Sequence, residues 1–290
     1  MSEAMVEGVR LSNPDKILYP DQGITKAELA EYYVAVAERM LPHVARRPVT
    51  MVRCPVGSEK KCFYQRHAGS GVLPQLHEIL VPGFDDPYLY IEDVGGLIAM
   101  VQMGTLEIHP WGVTVESPDQ PDRIIFDLDP DEGLGFEDVI SAAHEVRARL
   151  DALGLTSFVK TTGGKGLHVV LPIDPVSAWR DAKAFAKSLS EQMAADAPDR
   201  YLTRISKAER SGRIFIDYLR NDPTSTAVAP YSTRSRPGAP VAMPLTWEEI
   251  VPGLDPSAFT GQTAPARIAE VADPWSGMHE VRQRLPATEP

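Results

Sequence analysis

Only two cysteines, Cys54 and Cys62, occur in 290 residues. That is too few for a disulfide framework, and their spacing follows neither C-x-x-C nor a paired zinc arrangement. Reduced thiols are expected. Cys54, Cys62 and His67 are three scattered candidate ligands without a fourth, so no zinc is expected. Long apolar runs are missing too: none approaches the roughly 18 residues of a membrane span. The opening MSEAMVEGVR lacks the apolar core of a signal peptide. The expectation is a cytoplasmic protein with no membrane partner. Positive charge is also short. The net charge of −11 taken alone argues against nucleic acid, because phosphates need a basic surface. What remains, 43% hydrophobic and 24% charged, is an ordinary globular composition at a length that allows one large domain or two fused lobes.

The average charge hides a segregation. Arg39 to Arg66 holds seven basic residues (Arg39, Arg46, Arg47, Arg53, Lys60, Lys61, Arg66) against Glu59. Arg204 to Arg236 holds seven more (Arg204, Lys207, Arg210, Arg213, Arg220, Arg234, Arg236) against Glu209, Asp217 and Asp222. The remainder carries about −21 by difference. Two readings stand: two solvated faces, or a basic groove on an acidic body that suits a polyanion held at one place.

Thr25 with Glu28 forms a capping box that predicts a helix through LAEYYVAVAERML, ended by Pro42. Strands are predicted at VTMVRC (49–54), TLEIH (105–109), RIIFDLD (123–129), SFVKTT, LHVVLPI and RIFIDYL (213–219). Helices are predicted over 135–154, between glycines, and over roughly 177–195. The Pro-rich region after Pro237 holds short helical pieces such as TWEEI and MHEVRQRL. No internal repeat occurs at solenoid periods. Such mixed alternation indicates an α/β or α+β core.

Within IIFDLDPDEG, strand periodicity sends Asp127 and Asp129 to one face and Phe126 and Leu128 to the other. Pro130 should stop the ladder and leave both acids at an open sheet edge. A same-face pair can bind a divalent cation, share a proton, or sit in solvent. Asp217 interrupts a second apolar strand, RIFIDYL, on the Phe215 face, and an acid in that context needs a partner: Arg210, Arg220 or a cation. Three carboxylates from neighbouring strands suit a pair of cations about 4 Å apart. TTGGKGLHVVLP joins two strands, so it is not a strand-to-helix phosphate loop. Its glycines can still expose successive N–H groups as an anion nest, with Lys165 adding charge. His168 is either a satisfied structural histidine or, beside GGKG and the acids, a phosphate donor. Lys26 stands in the first turn of a capped helix, where an anion is favoured. For Lys16 and Lys26 the plain alternative is solvated lysine. Phe63 and Tyr64 lie among Lys60, Lys61 and Arg66 and could be core or could stack on bases.

The series FDLDP, GGKGLH, FIDYLRN and VAPYSTR, in that order, resembles the polymerase domain of bacterial ligase D. That domain belongs to the archaeo-eukaryotic primase superfamily and acts in non-homologous end joining. The resemblance runs from LSNPDKILYPDQGITKAEL to DPWSGMHEVRQRL. It implies an α+β primase-polymerase fold, with mixed and antiparallel sheets forming the catalytic cleft and helices flanking them. One domain would cover 1–290, with a DNA-end-binding part over about 1–115 and a catalytic part over about 116–290.

By the same resemblance, Asp127, Asp129 and Asp217 bind two ions of Mn²⁺ or Mg²⁺. Thr162, Lys165, Gly166 and His168 hold the incoming nucleotide, with His109 in LEIHPW and Arg234 in APYSTR as further contacts. Lys16 and Lys26 grip the 5'-phosphate of a downstream strand, with Asn13 close by, and Phe63 and Tyr64 meet the template. Thr162 stands where family members commonly have serine, keeping the hydroxyl and adding a methyl. The implied activity is a DNA-directed nucleotidyltransferase that fills gaps and extends broken ends from nucleoside triphosphates, ribonucleotides included. Its implied place is the nucleoid, with Ku and a DNA ligase as protein partners. Two rival readings explain less. A non-catalytic module that recognises a 5'-phosphate and bridges ends has no reason to place like charges beside DNA. A manganese-dependent glycosyltransferase using D-x-D explains neither Asp217 with GGKG nor the basic stretches.

Overall fold

The structure, a computed structural model, describes residues 3–69, 71–204 and 210–286. Lys207 and Glu209 of the second basic stretch lie outside the described residues. The chain divides into two compact units, each assembled from separated segments. The first comprises Met1–Glu116, Val228–Met243 and Ser257–Asp273, and the second Ser117–Ala227, Pro244–Pro256 and Pro274–Pro290. Among the described residues no helix is long and apolar enough to cross a membrane.

In the first unit, β1 (Glu3–Val6) pairs with β2 (Val9–Ser12), and β3 (Ile17–Tyr19) with β4 (Ile24–Thr25). Helix α1 (Lys26–Val44) begins at the capping box. Thr25 Oγ1 accepts from Glu28 N at 3.2 Å, and Glu28 Oε2 accepts from Thr25 N at 2.7 Å. Its stripe of Leu29, Tyr32, Tyr33, Val36, Met40 and Val44 is buried. Pro42 does not end the helix as expected but sits inside the last turn. The bond its ring forfeits would go to the carbonyl of Glu38, an exposed residue whose oxygen water can serve.

Next come β5 (Val49–Arg53), β6 (Phe63–Gln65), β7 (His77–Ile79), β8 (Tyr88–Tyr90), α2 (Val94–Gln102) and β9 (Thr105–Pro110). Strand β5 pairs antiparallel with β6, β8 and β9, and β7 extends the sheet beyond β8. The later segments of the unit lock onto α1. Tyr32 Oη donates to the Tyr231 carbonyl at 2.6 Å, Tyr33 Oη and Thr233 Oγ1 lie 3.1 Å apart, and Arg39 donates to the carbonyls of Ile268 and Val271 at 2.6 and 2.7 Å. One expectation fails here. Beyond the last β5–β6 pair, Arg53 with Phe63, the hairpin brings Cys54 and Cys62 to a Cα separation of 4.3 Å, and they form a disulfide. Spacing along the chain did not reveal that the two are cross-strand neighbours.

The second unit holds β10 (Arg123–Pro130), α3 (Phe136–Ala152), β11 (Phe158–Thr161), β12 (Leu167–Pro172), α4 (Trp179–Asp196), β13 (Tyr201–Leu202), β14 (Ile214–Asp217) and β15 (Pro244–Leu245). The strands form one sheet in the order β13-β14-β10-β12-β11-β15, antiparallel except for the parallel β13–β14 pair. Mixed and antiparallel sheets with packed helices make this the expected α+β class.

Ile124, Phe126 and Leu128 are fully buried on one face of β10, and α3 and α4 both pack against this strand. The opposite face is apolar at one end, where Ile125 and Phe158 join Val170, Trp275 and Met278. At its other end it carries Asp127 and Asp129. The predicted open edge is not found: β10 lies between β12 and β14, and Pro130 pairs with Ile214. As the last residue of the strand, Pro130 forfeits its N–H where the ladder ends. Strand β14 also stops earlier than expected, at Asp217, whose Oδ1 accepts from Leu219 N at 2.9 Å and caps a 3-10 turn over Tyr218–Arg220.

Candidate active site

Sheet register places the acids. Asp217, Asp127, His168 and Lys160 stand directly opposite one another across β14, β10, β12 and β11. Directly opposed residues share a face, so the four side chains form one row, and Asp129 follows opposite Phe215. All four members of the row are buried. Arg220 stands over the acids, its Nε 3.0 Å from Asp127 Oδ2 and 3.2 Å from Asp217 Oδ2. His168 Nε2 lies 3.2 Å from Asp127 Oδ1, a buried oxygen without a well-formed hydrogen bond.

The surroundings split the three acids. Burial pushes the Asp127 carboxyl up, but facing His168 and Arg220 more than reverse this and hold it well below the usual carboxylate range. Burial, then the charge of Asp127, raises Asp129 to about 6. Burial also raises Asp217, against the pull of Arg220. Burial and the nearby Lys160 lower His168 to about 4, so at neutral pH the imidazole is uncharged and Arg220 is the standing counter-charge on Asp127.

Among the described residues no three His, Cys, Asp or Glu side chains converge as a finished ligand shell. The row nevertheless fits hard divalent cations in kind. The three acids offer only carboxylate oxygens, one of them buried without a hydrogen bond, and burial with neighbouring like charge raises two of them toward protonation.

The GGKG turn lies beside the acids. Thr162 N donates to the Gly166 carbonyl at 3.1 Å, and Thr162 Oγ1 donates to the same oxygen at 3.1 Å. A Cβ on Gly166 would come within 2.5 Å of the Leu128 carbonyl of β10 and 3.6 Å of Asp129 Oδ1, so only glycine permits this approach. Lys165 is exposed at the tip of the turn. His168, buried in the row, has an Nδ1 without a hydrogen-bond partner.

The remaining candidates belong to the first unit. Lys26 N donates to the Lys16 carbonyl at 2.8 Å and Lys16 N to the Asn13 carbonyl at 3.0 Å, so the three expected phosphate contacts do come together. Asn13 adopts φ +51. Lys26 Nζ donates to the Ser12 carbonyl at 2.7 Å, and Lys16 Nζ donates to the Pro55 carbonyl. Burial, reinforced by the charge of Lys16, lowers the Lys26 ammonium from its ordinary value. Phe63 and Tyr64 are 41% and 70% exposed, which favours a contact role over core, but adjacent strand residues face opposite sides. Arg53 covers the Phe63 ring at 5.4 Å. His109 and Arg234 meet at the carboxylate of Glu107, through bonds of 2.8 and 2.9 Å.

Much of the first basic stretch serves the fold. Arg39 and Arg53 cap carbonyls, exposed Arg46 pairs with Glu92 and Glu116, and Arg47 is buried, while Lys60, Lys61 and Arg66 are exposed. In the second stretch Arg220 and Arg234 sit on acids. Arg220 is one of the partners the sequence offers for Asp217, and it reaches Asp127 as well, whereas nothing in the sequence reading marks Glu107 or Lys160. The alternation that paired Asp127 with Asp129 also pairs Glu107 with His109 and could have found it.

The model described as the LigD primase-polymerase domain matches residues 25–275. The chain is 37% identical over 291 aligned residues to the multifunctional non-homologous end joining protein LigD of Pseudomonas aeruginosa, covering 99% of this chain and 34% of that protein. It is 39% identical over 249 residues to the LigD protein of Mycolicibacterium smegmatis, covering 84% of this chain and 32% of that one. The chain thus spans about a third of the length of these curated relatives. A solved structure, the polymerase domain of Mycobacterium tuberculosis ligase D in complex with DNA, is similar with a TM-score of 0.86 and 32% identity, covering 92% of this chain and 96% of that chain. The chain belongs to the LigD primase-polymerase domain family.

Proposed function

We propose that this chain is a DNA-directed nucleotidyltransferase that fills gaps and extends broken ends, accepting ribonucleotides as well as deoxyribonucleotides. The observation that carries the reading is the row of Asp217, Asp127 and His168 in one register, with Asp129 beside it and Asp127 Oδ1 buried without a hydrogen bond. Three like charges are held together there at the expense of two raised carboxyls, which a purely structural site would avoid. Asp127, Asp129 and Asp217 would hold two ions of Mn²⁺ or Mg²⁺, which would supply positive charge for attack of a 3'-hydroxyl on the α-phosphorus and for departure of pyrophosphate.

The chain's own residues do the rest. Arg220, whose side chain is 38% exposed, is the cation that can swing from the acids as charge arrives. Thr162 and Gly166 shape the turn that receives the nucleotide, exposed Lys165 offers its phosphates a charge, and His168 contributes a buried Nδ1 without a hydrogen-bond partner. Arg234 and His109 are further contacts to the triphosphate. Lys16 and Lys26, with Asn13, hold a 5'-phosphate across a gap, where the lowered Lys26 ammonium gains the anion it lacks. Exposed Tyr64 and Phe63 stack on template bases. Ku and a DNA ligase are the proteins that would share such an end.

The test is extension of a gapped, 5'-phosphorylated duplex with Mn²⁺, comparing ribo- and deoxyribonucleotides, for the natural chain and an Asp127→Ala, Asp129→Ala double variant. Extension that survives in the variant refutes the assignment. Tight binding of the gap by the natural chain without any extension would favour the end-bridging module instead.

A further inference from the structure

Glu107 is a buried carboxylate with no part in the steps above. It lies two residues before His109 on β9, so both side chains leave the same face of the strand. The returning segment 228–235 is stitched along β9. Ala229 N donates to the Ile108 carbonyl at 2.9 Å, Ile108 N donates to Ser232 Oγ at 2.9 Å, and Thr233 Oγ1 donates to the Leu106 carbonyl at 2.6 Å. That course delivers Arg234 and Ser235 to Glu107.

Oε2 accepts from His109 Nε2 at 2.8 Å and from Arg234 Nε at 2.9 Å. Oε1 accepts from Ser235 N at 2.8 Å and Ser235 Oγ at 2.6 Å. An ionised carboxylate has about four acceptor sites, and these four bonds fill them. No lone pair is left to take a proton from substrate or to ligate a cation, so Glu107 acts through its neighbours or not at all.

An anion near a triphosphate is unfavourable unless it arranges something of greater worth. Here it arranges two side chains at once. A guanidinium loses rotamer freedom when fixed, and fixing it before the ligand arrives removes that cost from binding. Burial alone would raise the Glu107 carboxyl, but His109 and Arg234 hold it well below the usual range, so it is an anion whenever the chain is folded at neutral pH. A carboxylate only accepts, which makes Nε2 the protonated nitrogen of His109 and leaves Nδ1 as its second site.

We propose that Glu107 is a positioning residue that locks His109 and Arg234 side by side as a preformed clamp for the triphosphate of the incoming nucleotide and sets the tautomer of His109. This rests on the nucleotide-contact reading of His109 and Arg234.

The test is a double-mutant cycle on nucleotide KM and kcat. Glu107→Gln keeps the size but turns one acceptor into a donor. It should raise the KM for nucleotide by about tenfold or more, while affinity for a gapped, 5'-phosphorylated duplex stays unchanged. In a His109→Ala, Arg234→Ala background the same change should cost nothing further. A purely structural role would give equal losses in both backgrounds and would overturn the proposal. Glu107→Asp, which keeps the charge and shortens the reach, should behave like the Gln variant and serves if that variant does not fold. If His109→Ala with Arg234→Ala leaves the nucleotide KM unchanged, the nucleotide reading of those residues fails. If that pair raises KM and neither Glu107 variant does, the positioning role alone fails.

Discussion

Asp127 and Glu107, one in each unit, are built from the same parts and finished differently. Each is a buried carboxylate facing one histidine and one arginine, and in each those partners hold the acid well below its ordinary range. Around Glu107 the acceptor sites are filled, because Ser235 gives the second oxygen two bonds. Around Asp127 they are not. Oδ1 has no hydrogen bond, and Asp129 and Asp217 stand on the same face with raised carboxyls. Burial and partner type therefore do not separate the two acids. Leftover acceptor capacity beside like charge does.

The largest test of that contrast is activity. Asp127→Ala should reduce single-turnover extension of a gapped duplex in Mn²⁺ by about a thousandfold or more, as several kcal/mol of transition-state stabilisation are lost. Glu107→Gln should leave kcat within a few fold, and matching losses at both positions would erase the distinction. Stability gives the next test. Arg220→Ala removes the standing counter-charge of Asp127 and should cost about 2 kcal/mol in metal-free urea unfolding, allowing for its partial exposure. Mn²⁺ should recover more of that loss in Arg220→Ala than it adds to the natural chain; equal gains would mean that arginine and cation do not compete.

The lysines offer a third case, cations without their anion. Lys16→Ala with Lys26→Ala should weaken binding to a 5'-phosphorylated gap about tenfold more than to its unphosphorylated counterpart. Equal losses on both would remove the phosphate assignment.

The smallest effect is in pH. The Glu107 carboxyl is lowered on folding, so the stability it contributes is present above the ordinary value of about 4.5 and is lost as pH falls below it. The gap in melting temperature between the natural chain and Glu107→Gln should therefore narrow from pH 6 to pH 3. A constant gap would mean that the bonds of Glu107 do not depend on its charge.

Local chemistry was legible in the sequence where it stayed local. The Thr25–Glu28 box opens α1, alternation places Asp127 and Asp129 together, and GGKG forms the turn between two strands. Pairings between distant residues were not legible. Nothing in RIIFDLDP says that β10 is interior, since its neighbours arrive forty and ninety residues later. Cys54 and Cys62 became partners only through the β5–β6 register, and Arg47 lost its apparent role as a surface cation through burial. Charge counted along the chain thus overstated the basic surface, because composition does not record which arginines the fold consumes.

The interleaving of the two units bears on how the protein is made. The hydroxyls of Tyr32 and Tyr33 wait for Tyr231 and Thr233, and Arg39 waits for Ile268 and Val271. At about 5–20 residues per second of synthesis, α1 leaves the ribosome on the order of tens of seconds before its last partners exist. Through that interval its apolar stripe has no complete core to enter. A nascent chain of this kind is exposed to aggregation and to chaperones longest at its beginning, and a gene fragment ending near residue 116 would leave that exposure permanent.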